Sequence, residues 1–221
     1  MENKDIRKLS LYSADGKFDT TVEAVTLSCA IHMLNLPVKR VADITVLKKK
    51  PEGLRFAFPG YQCILERESS LREFATLVGG TVPILRFLYA SEIIAYDWYP
   101  QNPLDRAKLD QFFDWLYRNK TAGDCIRKSD LKTVERYFIG NTQPYLIGMH
   151  EMTFVDVVAF FAIMPAHADF FDGEEARRIA PKLSRWVERL TDNEDLMEYL
   201  QSHKIPQAVL AEAQEAPRPK L

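Results

Sequence analysis

The sequence predicts a small α/β domain followed by an all-helical bundle, and three observations carry that prediction. Before Gly79-Gly80, short β-branched and alternating stretches interleave with a single helix-spaced stretch, the order of a βαβ unit followed by a ββ pair. Past Tyr96-Asp97-Trp98-Tyr99-Pro100, every periodic stretch has helical spacing. One of these, Phe154-Val155-Asp156-Val157-Val158-Ala159-Phe160-Phe161, is apolar on nearly all sides, as the central helix of a bundle must be.

The elements follow in order. Leu9 and Leu11 alternate with polar neighbours and predict a strand beginning near Lys8, closed by the turn-prone Ser13-Ala14-Asp15-Gly16-Lys17. From Thr20 the period changes: Leu27, Ala30, Ile31 and Leu34 share one helix face, and the helix ends before Pro37. Val38 to Val46 reads as a second strand and Lys48 to Gly53 as a loop. Tyr61–Leu65 and Phe74–Val78 read as two strands around a polar turn at Glu66–Arg72. A helix then carries Ile84, Leu85, Phe87 and Leu88, with Pro83 in its first turn, where a missing N–H costs nothing. In the second half, Leu109, Phe112, Phe113 and Leu116 form one stripe, and Leu183, Trp186, Val187 and Leu190 form another behind Pro181. The predicted boundaries are an N-terminal domain at 1–95, a helical domain at 96–211, and a charged, proline-bearing disordered tail at 212–221.

Composition narrows the function classes. A formal net charge of −2 gives no general electrostatic argument for nucleic acid or an anionic membrane as partner. The Lys48-Lys49-Lys50 run reads as a solvated loop. No uninterrupted apolar run approaches the ~18–20 residues of a membrane helix, so no membrane insertion is expected. The start, Met-Glu-Asn-Lys-Asp-Ile-Arg-Lys, has neither a secretory core nor transit-peptide character. Three widely spaced cysteines, Cys29, Cys63 and Cys125, make neither a disulfide framework nor a metal cluster. The expectation is a cytoplasmic protein without metal or cofactor. His32, His150, His167 and His203 are scattered and read as structural or surface residues.

Thr153 and Asp156 have the spacing of a capping box, with Met152 and Val157 as its hydrophobic staple. That role is structural, and Asp156 is not read as a catalytic acid. The whole stretch, Tyr145-Leu-Ile-Gly148-Met-His-Glu-Met152-Thr153-Phe-Val-Asp156-Val157, resembles the glutathione-transferase pattern in which Ser/Thr-x-x-Asp opens the central helix. Ile84-Leu85-Arg86-Phe87-Leu88 followed by Trp98-Tyr99-Pro100 is similar to the theta class, and so is Asp105-Arg106-Ala107-Lys108-Leu109-Asp110. Ala180-Pro181-Lys182-Leu183-Ser184-Arg185-Trp186 resembles the family's late Pro-x-Leu-x-x-Trp segment. The resemblance implies a thioredoxin-like N-terminal domain (βαβ-ββα) followed by a glutathione-transferase helical bundle.

It also implies a glutathione site, and there the pattern departs. Gly80-Thr81 stands where the family has Glu-Ser, so Thr81 keeps a hydroxyl for a γ-glutamyl carboxylate but the acid is gone. The family's Val-Pro before the third strand has no counterpart near Gln62 and Cys63, the residues whose backbone would pair with glutathione, though Pro59 lies upstream. Theta-type enzymes open their first helix with Ser-x-Pro; here the stretch is Asp19-Thr20-Thr21-Val22, leaving Ser13, Thr20 or Thr21 as candidate donors to the glutathione sulfur. Capping of the first helix explains Asp19 to Thr21 equally well. Between Trp115 and Val134 only 18 residues stand where the family builds two long helices, which shortens the first helical hairpin and puts the usual dimer in doubt. Cys125 is expected to be exposed on that connection.

Three readings follow. The first is a catalytically degenerate fold kept as a structural or interaction subunit with protein partners. The second is an active theta-like transferase conjugating glutathione to small electrophiles, with glutathione as substrate. The third is a ligand-binding or peroxidase-type relative using Cys63 or Cys29.

Overall fold

The computed structural model describes residues 6–13, 22–33, 44–57, 63–69, 76–90, 98–119, 125–137, 139 and 143–202. Thr20, Thr21, Gln62, His203, the Tyr96–Asp97 start of the linker and the tail at 212–221 lie outside the described residues. The chain divides into two compact units, Met1–Ala95 and Tyr96–Leu221.

The first unit is one four-stranded sheet, ordered β2-β1-β3-β4, with helices between its strands. Its elements are β1 (Ile6–Ser13), α1 (Val22–Met33), β2 (Ile44–Lys49), α2 (Glu52–Ala57), β3 (Cys63–Ser69), β4 (Thr76–Gly79) and α3 (Thr81–Ala90). β1 pairs in parallel with β2 and antiparallel with β3, and β4 extends β3 antiparallel. The central strands bury both of their faces: Leu11, Ile64 and Leu65 are wholly enclosed, as are Leu27, Cys29 and Ala30 of α1 and Ile84, Leu85 and Leu88 of α3. This is the expected βαβ-ββα order, and it is a thioredoxin-like domain.

Three local expectations are corrected. β2 runs from Ile44 to Lys49, so the lysine run does not form a loop: Lys48 and Lys49 pair with Tyr12 and Ser13, and Lys50 is buried. The physical reason is the sheet order. β2 is an edge strand, where lysines are tolerated and discourage pairing with other chains. The supposed turn at Glu66–Arg72 starts as strand, because Glu66 and Arg67 pair with β1 on one side and β4 on the other. Finally, Glu52–Ala57, read as loop at its start, is a short helix behind Pro51.

The second unit is all-helical: α4 (Pro103–Asn119), a 3-10 turn (Lys128–Asp130), α5 (Leu131–Tyr137), α6 (Phe154–Phe171), α7 (Glu174–Ile179), α8 (Pro181–Thr191) and α9 (Glu194–Ser202). α4 opens on Asn102, whose Oδ1 accepts the Leu104 N–H at 2.8 Å, with Pro103 in the first position. Its predicted stripe, Leu109, Phe112, Phe113 and Leu116, is buried. Both stripe and proline are also where α8 was expected, with Leu183, Trp186, Val187 and Leu190 inside. At the head of α6, Phe154 stacks between Tyr99 (5.6 Å) and Phe113 (5.7 Å).

α6 is the core: every residue from Phe154 to Ile163 is buried. By length and composition it is long and apolar enough to cross a membrane, a test that an enclosed core helix also passes. The helical hairpin is short, as α5 has only 7 residues. Cys125, expected on the surface, is fully buried. The next residue explains it: the Ile126 N–H donates to the Ala162 carbonyl at 2.9 Å, which draws the connection against α6.

Candidate functional site

The C-terminal end of β1 gathers the first unit's chemistry-bearing residues along one edge. Ser13 closes β1 and pairs with Lys49 of β2 and Cys63 of β3. Its carbonyl accepts the Lys50 N–H at 2.8 Å, which continues the ladder one residue past β2. The Ser13 hydroxyl is buried and makes no hydrogen bond to a described residue.

Beyond Cys63 the chain of β4 turns into α3. The Gly80 N–H donates to the Cys63 carbonyl at 3.0 Å, and Gly80 has φ +91°, a conformation that favours glycine and lets the strand enter the helix directly. The Gly80 carbonyl accepts the Ile84 N–H at 3.0 Å, so it is the first acceptor of α3. Thr81 follows, 4% exposed.

Both polar groups of Thr81 are engaged by one residue of α1. The Thr81 N–H donates to Glu23 Oε1 at 3.1 Å, and the Thr81 hydroxyl donates to the Glu23 carbonyl at 3.0 Å. A helix N-terminus attracts anions through its free N–H groups and its dipole. Here the anion is a side chain of the protein itself. Sequence reasoning missed Glu23, because an acid in the first turn of a helix is ordinary dipole complementation and nothing local points it at α3.

Of the predicted site residues, Ser13, Cys63 and Thr81 therefore lie along one edge of the sheet, while Thr20, Thr21 and Gln62 lie outside the described residues. The thiols offer little chemistry. Cys29 and Cys63 are fully buried, and burial pushes the Cys29 thiol far above its ordinary pKa, so it stays protonated. Among the described residues no group of three or more His, Cys, Asp and Glu side chains forms a metal site. His32 and His150 are exposed, and His167 is half-buried against the Ile126 carbonyl at 2.7 Å.

The second unit has its own polar centre at the start of α6, with both halves of the Thr153–Asp156 capping box formed. The carboxylate is wholly buried and collects four donors. Oδ1 accepts the Leu146 N–H at 2.9 Å and the Trp186 indole N–H at 2.8 Å. Oδ2 accepts the Thr153 N–H at 2.9 Å and the Thr153 hydroxyl at 3.1 Å. Burial pushes its pKa up to about 6, and the four donors hold it from rising further. The group thus ties three pieces together: α6, the turn at Leu146–Met149 and α8. In that turn Ile147 and Gly148 both have positive φ, +52° and +81°, and the Met149 N–H returns to the Leu146 carbonyl at 3.2 Å. No solvent reaches this carboxylate, so its role is architectural.

A four-stranded thioredoxin-like sheet and an all-helical unit built on a buried Ser/Thr-x-x-Asp box define the glutathione-transferase fold. Residues 111–203 match the family model of the glutathione S-transferase C-terminal domain. Comparison with curated protein sequences finds no match. Among solved structures, human glutathione transferase theta-2, in complex with glutathione and an unknown ligand, is 16% identical with a TM-score of 0.60, over 96% of this chain and 93% of that one. A glutathione transferase homologue from Drosophila mojavensis with bound glutathione is 16% identical with a TM-score of 0.59, over 94% and 98%. FzlA from C. crescentus is 13% identical with a TM-score of 0.56, over 88% and 92%. At these identities the likeness is one of fold, and theta-class structures are among those the chain resembles.

Proposed function

We propose that this protein is a catalytically degenerate glutathione-transferase fold that serves as a structural or interaction subunit of a larger assembly. The observation that carries the reading is the closure of α3 by Glu23. In the resembled enzymes an acid-hydroxyl pair at this helix start holds the γ-glutamyl group. Here the acid's position is Gly80, and the N–H and hydroxyl of Thr81 are both spent on Glu23. The capping box and the buried stripes of α4, α6 and α8, in contrast, are all formed. Packing and ligand binding are separable demands, and selection for an assembly would keep only the first.

The test is a glutathione titration followed by thermal shift or calorimetry. A competent site at hundredfold excess over its Kd stabilises by about 2.7 kcal/mol, several degrees for a protein of this size. The expected result is no shift at millimolar glutathione, together with migration of the chain in its own cell extract at a mass well above that of the purified protein. A clear glutathione shift overturns the reading.

One observation favours the alternative of an active theta-like transferase: the Ser13 hydroxyl, on the strand position paired with Cys63, makes no hydrogen bond to a described residue. In that reading Ser13 donates to the glutathione sulfur and favours the thiolate. Conjugation of a small electrophile that disappears in Ser13→Ala while glutathione binding persists would establish it.

A further inference from the structure

α8 has two unlike faces. Leu183, Trp186, Val187 and Leu190 are buried, while Lys182, Arg185 and Arg189 recur at i, i+3 and i+7 along the opposite side. Arg185 and Arg189 are exposed. This placement works against the helix that carries it. The first turn holds Lys182 and no acid, the wrong sign for a helix N-terminus, and Arg185 and Arg189 are like charges at i, i+4. An exposed face kept for stability alone would interleave acids with these cations.

Other cations of this unit sit beside acids. Lys108 lies 2.9 Å from Asp105, Arg118 2.9 Å from Asp114, Lys128 3.5 Å from Glu175 and Arg177 3.0 Å from Glu188. The last pair takes up Glu188, the one acid of α8, and turns it to α7. Among the described residues Arg185 and Arg189 have no carboxylate partner. Each instead donates one N–H to a backbone carbonyl: Arg185 Nε to that of Pro181 at 3.3 Å, and Arg189 Nη1 to that of Pro144 at 3.4 Å. A single bond to the backbone restrains each guanidinium and leaves its other donors for a carboxylate, which the planar fork binds in paired hydrogen bonds.

We propose that the outer face of α8 is a docking stripe for a short acidic segment of a protein partner, whose carboxylates Arg185 and Arg189 hold. From Lys182 to Arg189 the stripe runs about 10 Å, the span of about three extended residues. The cations end there: Asp192, Glu194, Asp195 and Glu198, all exposed, follow at once. A nucleic-acid strand, charged along its whole length, is repelled past that boundary, while a segment with a few adjacent acids is not. The stripe carries no exposed large hydrophobic side chain of the kind that anchors a helix in a membrane surface; among the described residues those are Leu104 and Tyr117, both on α4. Such a stripe would serve a degenerate fold and an active transferase alike, so its test is separate from the glutathione titration.

The test is fluorescence anisotropy on the full chain with three labelled probes: a peptide bearing a short run of glutamates, the same peptide with glutamines, and an oligonucleotide of the same net charge. At low ionic strength the glutamate peptide should bind about tenfold more tightly than either of the others, and added salt should weaken it severalfold. Arg185→Gln combined with Arg189→Gln should lose about tenfold in affinity with an unchanged circular dichroism spectrum, since both side chains are exposed. Arg185→Glu with Arg189→Glu should release the glutamate peptide and take up its lysine counterpart instead. Arg118→Gln, which removes a paired cation from α4, should leave binding as it is. No binding of the glutamate peptide at low ionic strength overturns the proposal. So does equal binding of the glutamine peptide, equal or tighter binding of the oligonucleotide, or wild-type affinity in the double glutamine variant.

Discussion

Asp156→Ala is the most severe test of how this fold is held together. The substitution removes one carboxylate and strands four donors: the Leu146 N–H, the Thr153 N–H and hydroxyl, and the Trp186 indole. A buried donor without a partner costs roughly 1–3 kcal/mol. The Thr153 hydroxyl can rotate to another acceptor, so three donors stay stranded, for about 3–6 kcal/mol after partial relief by an entering water. That is comparable with the entire stability of an ordinary domain, about 5–15 kcal/mol. Asp156→Asn separates the terms. With its oxygen facing Leu146 and Trp186, the amide keeps both of those bonds and turns its NH2 toward Thr153. The Thr153 hydroxyl can accept from it; the Thr153 N–H cannot. One lost bond predicts about 1–3 kcal/mol. Urea unfolding followed by circular dichroism should therefore rank wild type above Asn and Asn well above Ala, with unchanged m-values. An alanine variant within 1 kcal/mol of wild type would refute the account of Asp156 as the joint of α6, α8 and the Leu146 turn.

The other expectations are smaller. Trp186→Phe loses the indole bond to Asp156 and leaves space in a fully enclosed site, for about 2–4 kcal/mol by urea unfolding. Gly148→Ala meets open space but a φ of +81°, so backbone strain alone should cost about 1–2 kcal/mol. Gly53→Ala, in α2 and equally unobstructed, should instead gain about 0.5 kcal/mol. Asp156 titrates higher in the folded protein (about 6) than unfolded (3.8), so its contribution is fully present below pH 4 and lost as pH rises through 6. The difference amounts to roughly 2 kcal/mol between pH 4 and 7.5 and should vanish in Asp156→Asn; His167, shifted downward, works with the opposite sign in the window below 6.5. Glu23→Ala should cost about 1–2 kcal/mol without creating a glutathione-dependent thermal shift; such a shift would mean that the side chain was the sole barrier to binding.

What was legible in the sequence was local. The α8 stripe and Pro181, the α4 stripe, and the Thr153–Asp156 box are each specified within a few residues, by periodicity or by capping geometry. What was not legible depends on partners far away in sequence. β2 could not be placed from its own residues, since its register comes from pairing Leu9 with Ile44 and Ser13 with Lys49. The lysine run looked solvated because nothing near it announces an edge strand. Cys125 looked exposed because its neighbour Ile126 is held by the Ala162 carbonyl of α6, distant along the chain. Trp186 was placed on the correct helix, but its bond to Asp156 spans 30 residues and no pattern encodes it. Likewise the Glu23 contact with Thr81 spans 58 residues and left no trace in the spacing of either helix.

These last two contacts are one piece of physics with opposite consequences. Each places a carboxylate of the chain where a helix begins, α6 for Asp156 and α3 for Glu23, and each answers the unpaired N–H groups found there. At α6 the start is sealed from water, so an internal acid is the only way to satisfy its donors, and supplying it builds the bundle. At α3 the helix begins on the edge where β1 ends at Ser13 and β3 begins at Cys63, and an unanswered N–H there would be free to hold a ligand's carboxylate. By answering it from α1, the chain gains a tie between α1 and α3 and loses the vacancy that such a ligand requires. The same substitution of an outside anion by an inside one thus builds the joint of the bundle at α6 and, on the function proposed above, closes the start of α3.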